Sequence, residues 1–273
     1  MFGASDLGRL DRRDFMAGAA ALLLGERAGA ADCGKAGIDW AMLDTLRTRY
    51  RLDDVVAGSA DDLDRVRRLS RWTRSRWQHN GENEPSRPDP LTILAEADAG
   101  RRFRCVEYAE VLAAALSAVG VPARVLGLQR ADVETAESGA GHVVAEAWLR
   151  DGKRWALVDG QWDAIAMRGA VPLNARELQD ALATEDARLA VQTFSGIPPS
   201  VFRRWIAPYL HFYVTKGRRW TTGAPDGTKS LMLVPPDATA PQVFQRRFPQ
   251  SYDEATSSVG RLYAPPPHCR RLA

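Results

Sequence analysis

The chain has 273 residues, 45% of them hydrophobic, enough to bury a full core. Its 37 basic and 34 acidic residues leave a formal charge of only +3. With no basic block and no array of stacking aromatics, that balance gives no case for nucleic acid as a partner.

The first thirty residues read as an address. Arg12 and Arg13 precede Phe15 and an apolar run from Met16 to Leu24, and the small-residue pattern Ala28-Gly29-Ala30 follows. A membrane-spanning helix needs about 20 apolar residues, so this shorter run fits the apolar stretch of a cleaved signal instead. The arginine pair resembles the twin-arginine type, which implies that a bacterium exports the folded protein to its periplasm or beyond. The expectation is an export signal over 1–30, then one domain over 31–273 that is soluble, with no stable membrane insertion. An oxidising compartment favours disulfides, and the chain has three cysteines. If Cys105 is a free reactive thiol, Cys33 and Cys269 remain to pair, one near each mature terminus.

Residues 60–78 place Leu63, Val66, Leu69 and Trp72 or Thr73 at helical intervals, and a Pro/Gly/Asn loop closes that helix. "DPLTILAEADAG" predicts a short helix ending at Gly100. The next helix starts near Cys105 and stops at Gly120 and Pro122, as a terminal glycine and a later proline dictate. "ARVLGLQ" predicts a buried strand, and residues 129–141 a polar loop. "HVVAEAWL" and "RWALVDGQW" predict two strands joined by Arg150-Asp151-Gly152-Lys153, where Asp-Gly signals a hairpin. After Trp162 the chain turns helical ("LNARELQDALAT"). "YLHFYVTK" and "SLMLVPP" predict further strands before a proline-rich tail. Trp205, Tyr209, Phe212 and Tyr213 line either a core or a cleft, with core the expectation.

The cysteine helix puts Cys105, Ala109, Leu112, Leu116 and Val119 along one face, at spacings of four, three, four and three. Cys105 thus opens the core-facing side of a helix, where free N–H groups and the positive dipole end stabilise a thiolate or an oxyanion. Cysteines so placed, with a basic partner, have pKa values lowered from about 8.5 into the range of roughly 3.5–7.5.

Four histidines are available as a base: His79, His142, His211 and His268. His79 falls in a polar loop, His268 in the tail, and His211 inside a strand. His142 begins a strand directly after "SGAG". With a two- or four-residue turn at 151–152, paired residue numbers sum to 303, so His142 faces Gln161 and has Asp159 as diagonal neighbour. Direct cross-strand Cβ atoms lie about 4.5–5.5 Å apart and diagonal ones about 7–8 Å, a gap that a His and an Asp bridge. The hairpin therefore delivers a histidine oriented by a carboxylate, which fixes the ring tautomer and stabilises the imidazolium. Gln161 is an auxiliary candidate for positioning the ring. Glu146 shares the His142 face but lies too far along the strand to orient it.

Together, "FRCVEYAEVLAAALSAVGVPARVLGL", "GHVVAEAWL" and "RWALVDGQWD" resemble the transglutaminase-like superfamily of papain-fold proteins, over roughly residues 70–165. In that family a helix-start Cys, a strand His and a next-strand Asp form the triad, here Cys105, His142 and Asp159. Gly120-Val121-Pro122-Ala123-Arg124 matches the run after the cysteine helix. Two positions depart from the pattern: Phe103 and Gly160 stand where many members have glycine and proline. Members often bind the oxyanion with an indole N–H upstream of the cysteine, for which Trp77 is the candidate here.

The resemblance implies an α+β fold with the cysteine helix packed on an antiparallel sheet. It also implies acyl transfer from a peptide or protein amide through a thioester. Water as acceptor makes an amidase or peptidase, and an amine acceptor makes a transglutaminase. No cofactor or metal is expected, since the cysteines and histidines lack ligand spacing. The rival reading is an envelope scaffolding module that keeps the fold without turnover. A redox protein is disfavoured because no Cys-x-x-Cys occurs.

Overall fold

The computed structural model describes residues 37–224 and 229–267. The expected export signal over 1–30 and the expected Cys33–Cys269 bridge lie outside the described residues. Five helices come first: α1 (Trp40–Arg49), α2 (Leu52–Val56), α3 (Asp62–Arg74), α4 (Pro90–Asp98) and α5 (Cys105–Ala118). Aspartates fix three of their starts. Asp39, Asp61 and Asp89 accept backbone N–H groups of Met42, Asp64 and Thr92. Gly100 and Gly120, at φ 91° and 81°, end α4 and α5 in the left-handed region that glycine alone enters cheaply.

Next come β1 (Ala123–Gln129), β2 (Gly141–Leu149), β3 (Arg154–Asp159), β4 (Ala164–Arg168) and β5 (Val171–Pro172). They are followed by α6 (Ala175–Ala183), β6 (Leu189–Thr193), α7 (Pro199–Ile206) and a 3-10 turn, Ala207–Tyr209. The remainder holds β7 (Phe212–Lys216), β8 (Leu231–Leu233), β9 (Val243–Phe244), β10 (Phe248–Pro249), β11 (Glu254–Thr256) and α8 (Val259–Leu262). The main sheet runs β11-β8-β7-β1-β2-β3-β4-β5, with β6 also paired to β4. Its pairings are antiparallel except β11 with β8. This is the expected α+β class.

The sheet has a core on each face. Val125, Ala145 and Val158 pack with Leu112 and Leu116 of α5. Leu126, Val144 and Leu157 pack on the other face with Phe202 and Ile206 of α7. The expected single core-facing stripe on α5 is too narrow. Every residue from Glu107 to Ser117 is buried, because the sheet covers one side and α1, α3 and α4 cover the rest. The expected turn to helix directly after Trp162 is also corrected: β4 and β5 intervene before α6. "AIAMR" shows no alternation because four of its five residues are buried, as a strand covered on both faces must be.

The β2–β3 ladder pairs Leu149 with Arg154 and ends at Ala145 with Val158, so paired numbers sum to 303 as expected. A four-residue turn, 150–153, makes the connection, closed by Lys153 N–H donating to Arg150 O at 3.2 Å. Lys153, not Gly152, takes the left-handed conformation, at φ 46°. Inside the fold, Arg124 and Glu146 form a fully buried ion pair at 2.6 Å on adjacent strands. Arg124 also donates to Leu262 O and lies over the Trp155 ring at 4.1 Å. The arginine of the Gly-Val-Pro-Ala-Arg run is thus a staple between sheet and C-terminal segment.

Candidate active site

Cys105 is the first residue of α5, directly after the N-cap residue Arg104. Glu107, 2% exposed, accepts the backbone N–H of Arg104 at 3.0 Å and pairs with the Arg104 guanidinium. It is therefore a buried capping group. Tyr108 is fully buried and donates its hydroxyl to Trp77 O at 2.7 Å, tying the loop after α3 to α5.

His142 sits at the start of β2, three positions before the residue where the β2–β3 ladder ends, so the two strands part beside it. Its Nε2 donates to Asp159 Oδ2 at 2.7 Å, and the two side chains are 2% and 0% exposed. Asp159 Oδ1 accepts the backbone N–H groups of Gln161 at 3.0 Å and Trp162 at 3.1 Å. Both carboxylate oxygens are thus held, and the ring is fixed by a rigid acceptor. The Cys105 side chain is near enough to the same imidazole to act on its charge. With Nε2 committed to Asp159, Nδ1 is the nitrogen left for the sulfur. Burial pulls the His142 pKa down, but the charge and hydrogen bond of Asp159, helped by Cys105, outweigh it and lift the value to about 10. The imidazolium is the neutral-pH form. Cys105 itself is only partly buried, so the sulfur is the accessible member of the three.

Gly160 lets this happen. A Cβ there would come within 3.3 Å of Tyr108 O and 3.3 Å of Leu112 Cδ2, so the end of β3 lies directly against α5. The departure from proline at this position therefore has a packing role.

The two auxiliary candidates divide. Gln161 does not pair with His142 as expected, because the ladder has already ended. It touches Asp159 through its backbone, and its side-chain Oε1 is buried without a hydrogen-bond partner among the described residues. Trp77 is 6% exposed and packs on Phe103 and Tyr108 at ring separations of 5.9 and 4.4 Å. Its Nε1 is buried with no acceptor among the described residues, so the indole has a packing role and a donor to spare.

Other residues also stand near His142. Trp205 stands edge-on to the His142 ring at 4.5 Å and 82°, and Tyr209 lies at 5.9 Å. Both are half-buried, which corrects the expectation of core for these two, whereas Phe212 and Tyr213 are core. Their i, i+4 spacing was the available signal. His79 is near enough for the His142 charge to act on it; partial burial first, and that charge second, push its pKa below the usual histidine value.

No curated protein sequence matches this chain. Several solved structures are similar, three of which follow. One, described as a candidate cysteine protease from Cytophaga hutchinsonii, shares 16% identity over 55% of this chain and 47% of that one, with a TM-score of 0.36. A second, a TGase, shares 15% identity over 50% and 34%, with a TM-score of 0.31. A third, described as a candidate protease from Parabacteroides distasonis, shares 18% over 58% and 30%, with a TM-score of 0.32. The matched region spans less than half the length of each of those chains. A family model described as the transglutaminase-like superfamily matches residues 49–160, a span that holds Cys105, His142 and Asp159. Over residues 49–160, then, this chain is similar to the transglutaminase-like superfamily.

Proposed function

We propose that the protein is a cysteine-dependent acyltransferase or amidase acting on a peptide or protein amide. The observation that carries this reading is the grouping of Cys105, His142 and Asp159, with the His142–Asp159 bond at 2.7 Å and the sulfur near enough to act on the same ring. In the proposed reaction the Cys105 thiolate attacks the amide carbonyl. The first-turn N–H groups of α5 support the developing oxyanion, joined by the unsatisfied Trp77 indole N–H. The His142 imidazolium gives its proton to the leaving amine, and a thioester remains. Water or an acceptor amine then attacks the thioester while His142 takes up the proton of the attacking group. Asp159 holds the ring and its charge throughout and does not itself exchange a proton.

The reading extends to location: residues 1–30 are proposed to direct export, with the mature domain acting in the periplasm or outside the cell. N-terminal sequencing of the mature, exported protein tests that part.

For the chemistry, wild type and Cys105→Ala are incubated with a library of glutamine-bearing peptides, with and without an added amine, and products are read by mass spectrometry. Deamidated, cleaved or amine-linked peptides from wild type alone support the reading. Identical product sets from both proteins overturn it and leave the scaffolding module.

A further inference from the structure

Lys216 ends β7, one strand away from β1 on the sheet. The register sets Lys216 opposite Val125, and Val125 opposite Ala145, both of which pack against α5. Side chains directly opposite share a face, so Lys216 projects on the α5 side of the sheet. It does not stay in its own row. Its Cε lies 3.5 Å from where a Cβ of Gly127 would be, two positions along β1 from Val125. Leu128, the next residue, is in register with His142. The lysine therefore leans over the bare backbone of Gly127 toward the end of the sheet that holds the triad.

Among the described residues, no carboxylate makes an ion pair with its ammonium. Glu110 of α5 is the buried acid of this corner, but Arg218 Nε donates to its Oε1 at 2.6 Å and Trp220 Nε1 to its Oε2 at 2.8 Å. Lys216 makes no hydrogen bond and no ion pair among the described residues, though it is half-buried. By contrast Arg104, at the start of α5, is committed to Glu107 and Glu84. Burial first, then the charge of Arg218, push the Lys216 pKa down, while Glu110 and the Cys105 sulfur push it back up. The sulfur and the amine are thus within each other's field. A half-buried cation with no hydrogen bond among the described residues thus leans toward the end of the sheet that holds a partly exposed thiol, an arrangement that an anionic group on an incoming molecule satisfies.

We propose that Lys216 forms a carboxylate-binding subsite beside Cys105, selecting acyl donors that carry a carboxylate close to the reacting carbonyl. This rests on the acyl-transfer reading for its biological meaning, but the subsite itself is testable without turnover. Iodoacetate and iodoacetamide alkylate a thiol by the same displacement and differ in bearing a carboxylate or an amide. Their rates at Cys105, followed by peptide mass spectrometry, give a ratio from which the intrinsic reactivity of the sulfur cancels.

The iodoacetate-to-iodoacetamide ratio is expected to be about tenfold higher in wild type than in Lys216→Met, as one partly buried charge interaction allows. Lys216→Arg is expected to retain most of the preference, and Lys216→Glu to fall below Lys216→Met. Lys216→Gln serves as a second neutral variant, with thermal unfolding of each protein recorded alongside. An unchanged ratio in both neutral variants overturns the proposal. So does an equal slowing of both reagents, which means that the lysine acts on the sulfur alone. A high wild-type ratio in a protein that turns over no peptide leaves the subsite standing and the acyl-transfer reading fallen. Where turnover occurs, three peptides separate the sources of the carboxylate: glutamine with a free C-terminus, an amidated peptide with a neighbouring glutamate, and its uncharged counterpart.

Discussion

Asp159 Oδ2 holds His142 Nε2 at 2.7 Å in a pair that solvent barely reaches, while the carboxylate's other oxygen accepts two backbone N–H groups. Asn at 159 keeps an acceptor for those backbone groups and removes the charge. Asp159→Asn is expected to fold, and to lower kcat by about 10²–10⁴-fold, since an amide neither fixes the tautomer nor stabilises imidazolium. Steady-state kinetics beside a circular dichroism spectrum check this; unchanged kcat contradicts it.

The same pair sets a pH dependence. The folded pKa of His142, about 10, lies above the ordinary value, so the protonated ring stabilises the fold. That contribution is complete below about pH 6.5, the unfolded value, and is lost as pH rises toward the folded one. Urea midpoints are therefore expected to fall between neutral pH and pH 10 more steeply in wild type than in Asp159→Asn. Parallel curves for the two proteins contradict the assignment.

Arg124 and Glu146 are both fully buried, and Glu146 Oε1 also accepts the backbone N–H of Ala175. Removing one partner strands the other in the core. Glu146→Gln is expected to cost about 3–5 kcal/mol, read as a shift in urea midpoint at constant m-value. A loss below about 1 kcal/mol indicates that the cation–π contacts of Arg124 suffice to hold it.

Gly160 lies in contact with α5, so any side chain there must push β3 outward and carry Asp159 with it. Gly160→Val is expected to destabilise by about 1–3 kcal/mol and to slow Cys105 alkylation. Lys153→Gly goes the other way. Relieving a left-handed lysine in the hairpin turn is expected to stabilise by about 0.5–1 kcal/mol, visible as a raised Tm with activity unchanged.

What the sequence reveals divides by range. The hairpin register was legible because turn length and side-chain alternation are local, and from it came the His142–Asp159 diagonal. The start of α5 at Cys105 and its end at Gly120 were legible for the same reason. Gln161 was misplaced because a register cannot say where a ladder stops, and the strands part after Ala145. The residues surrounding the site from the second half of the chain, Trp205, Tyr209 and Lys216, were not legible as neighbours. They arrive through α7 and β7, whose order in the sheet depends on long-range packing. No local pattern marks Lys216 as different from any other strand-end lysine.

The central claim is that His142 activates Cys105. Its most direct test is the rate of iodoacetamide labelling at Cys105 at pH 7, mapped by peptide mass spectrometry, in wild type and His142→Ala. The account predicts labelling at least about tenfold faster in wild type, because loss of the imidazolium removes the charge that holds the thiolate. Equal rates in two equally folded proteins contradict it.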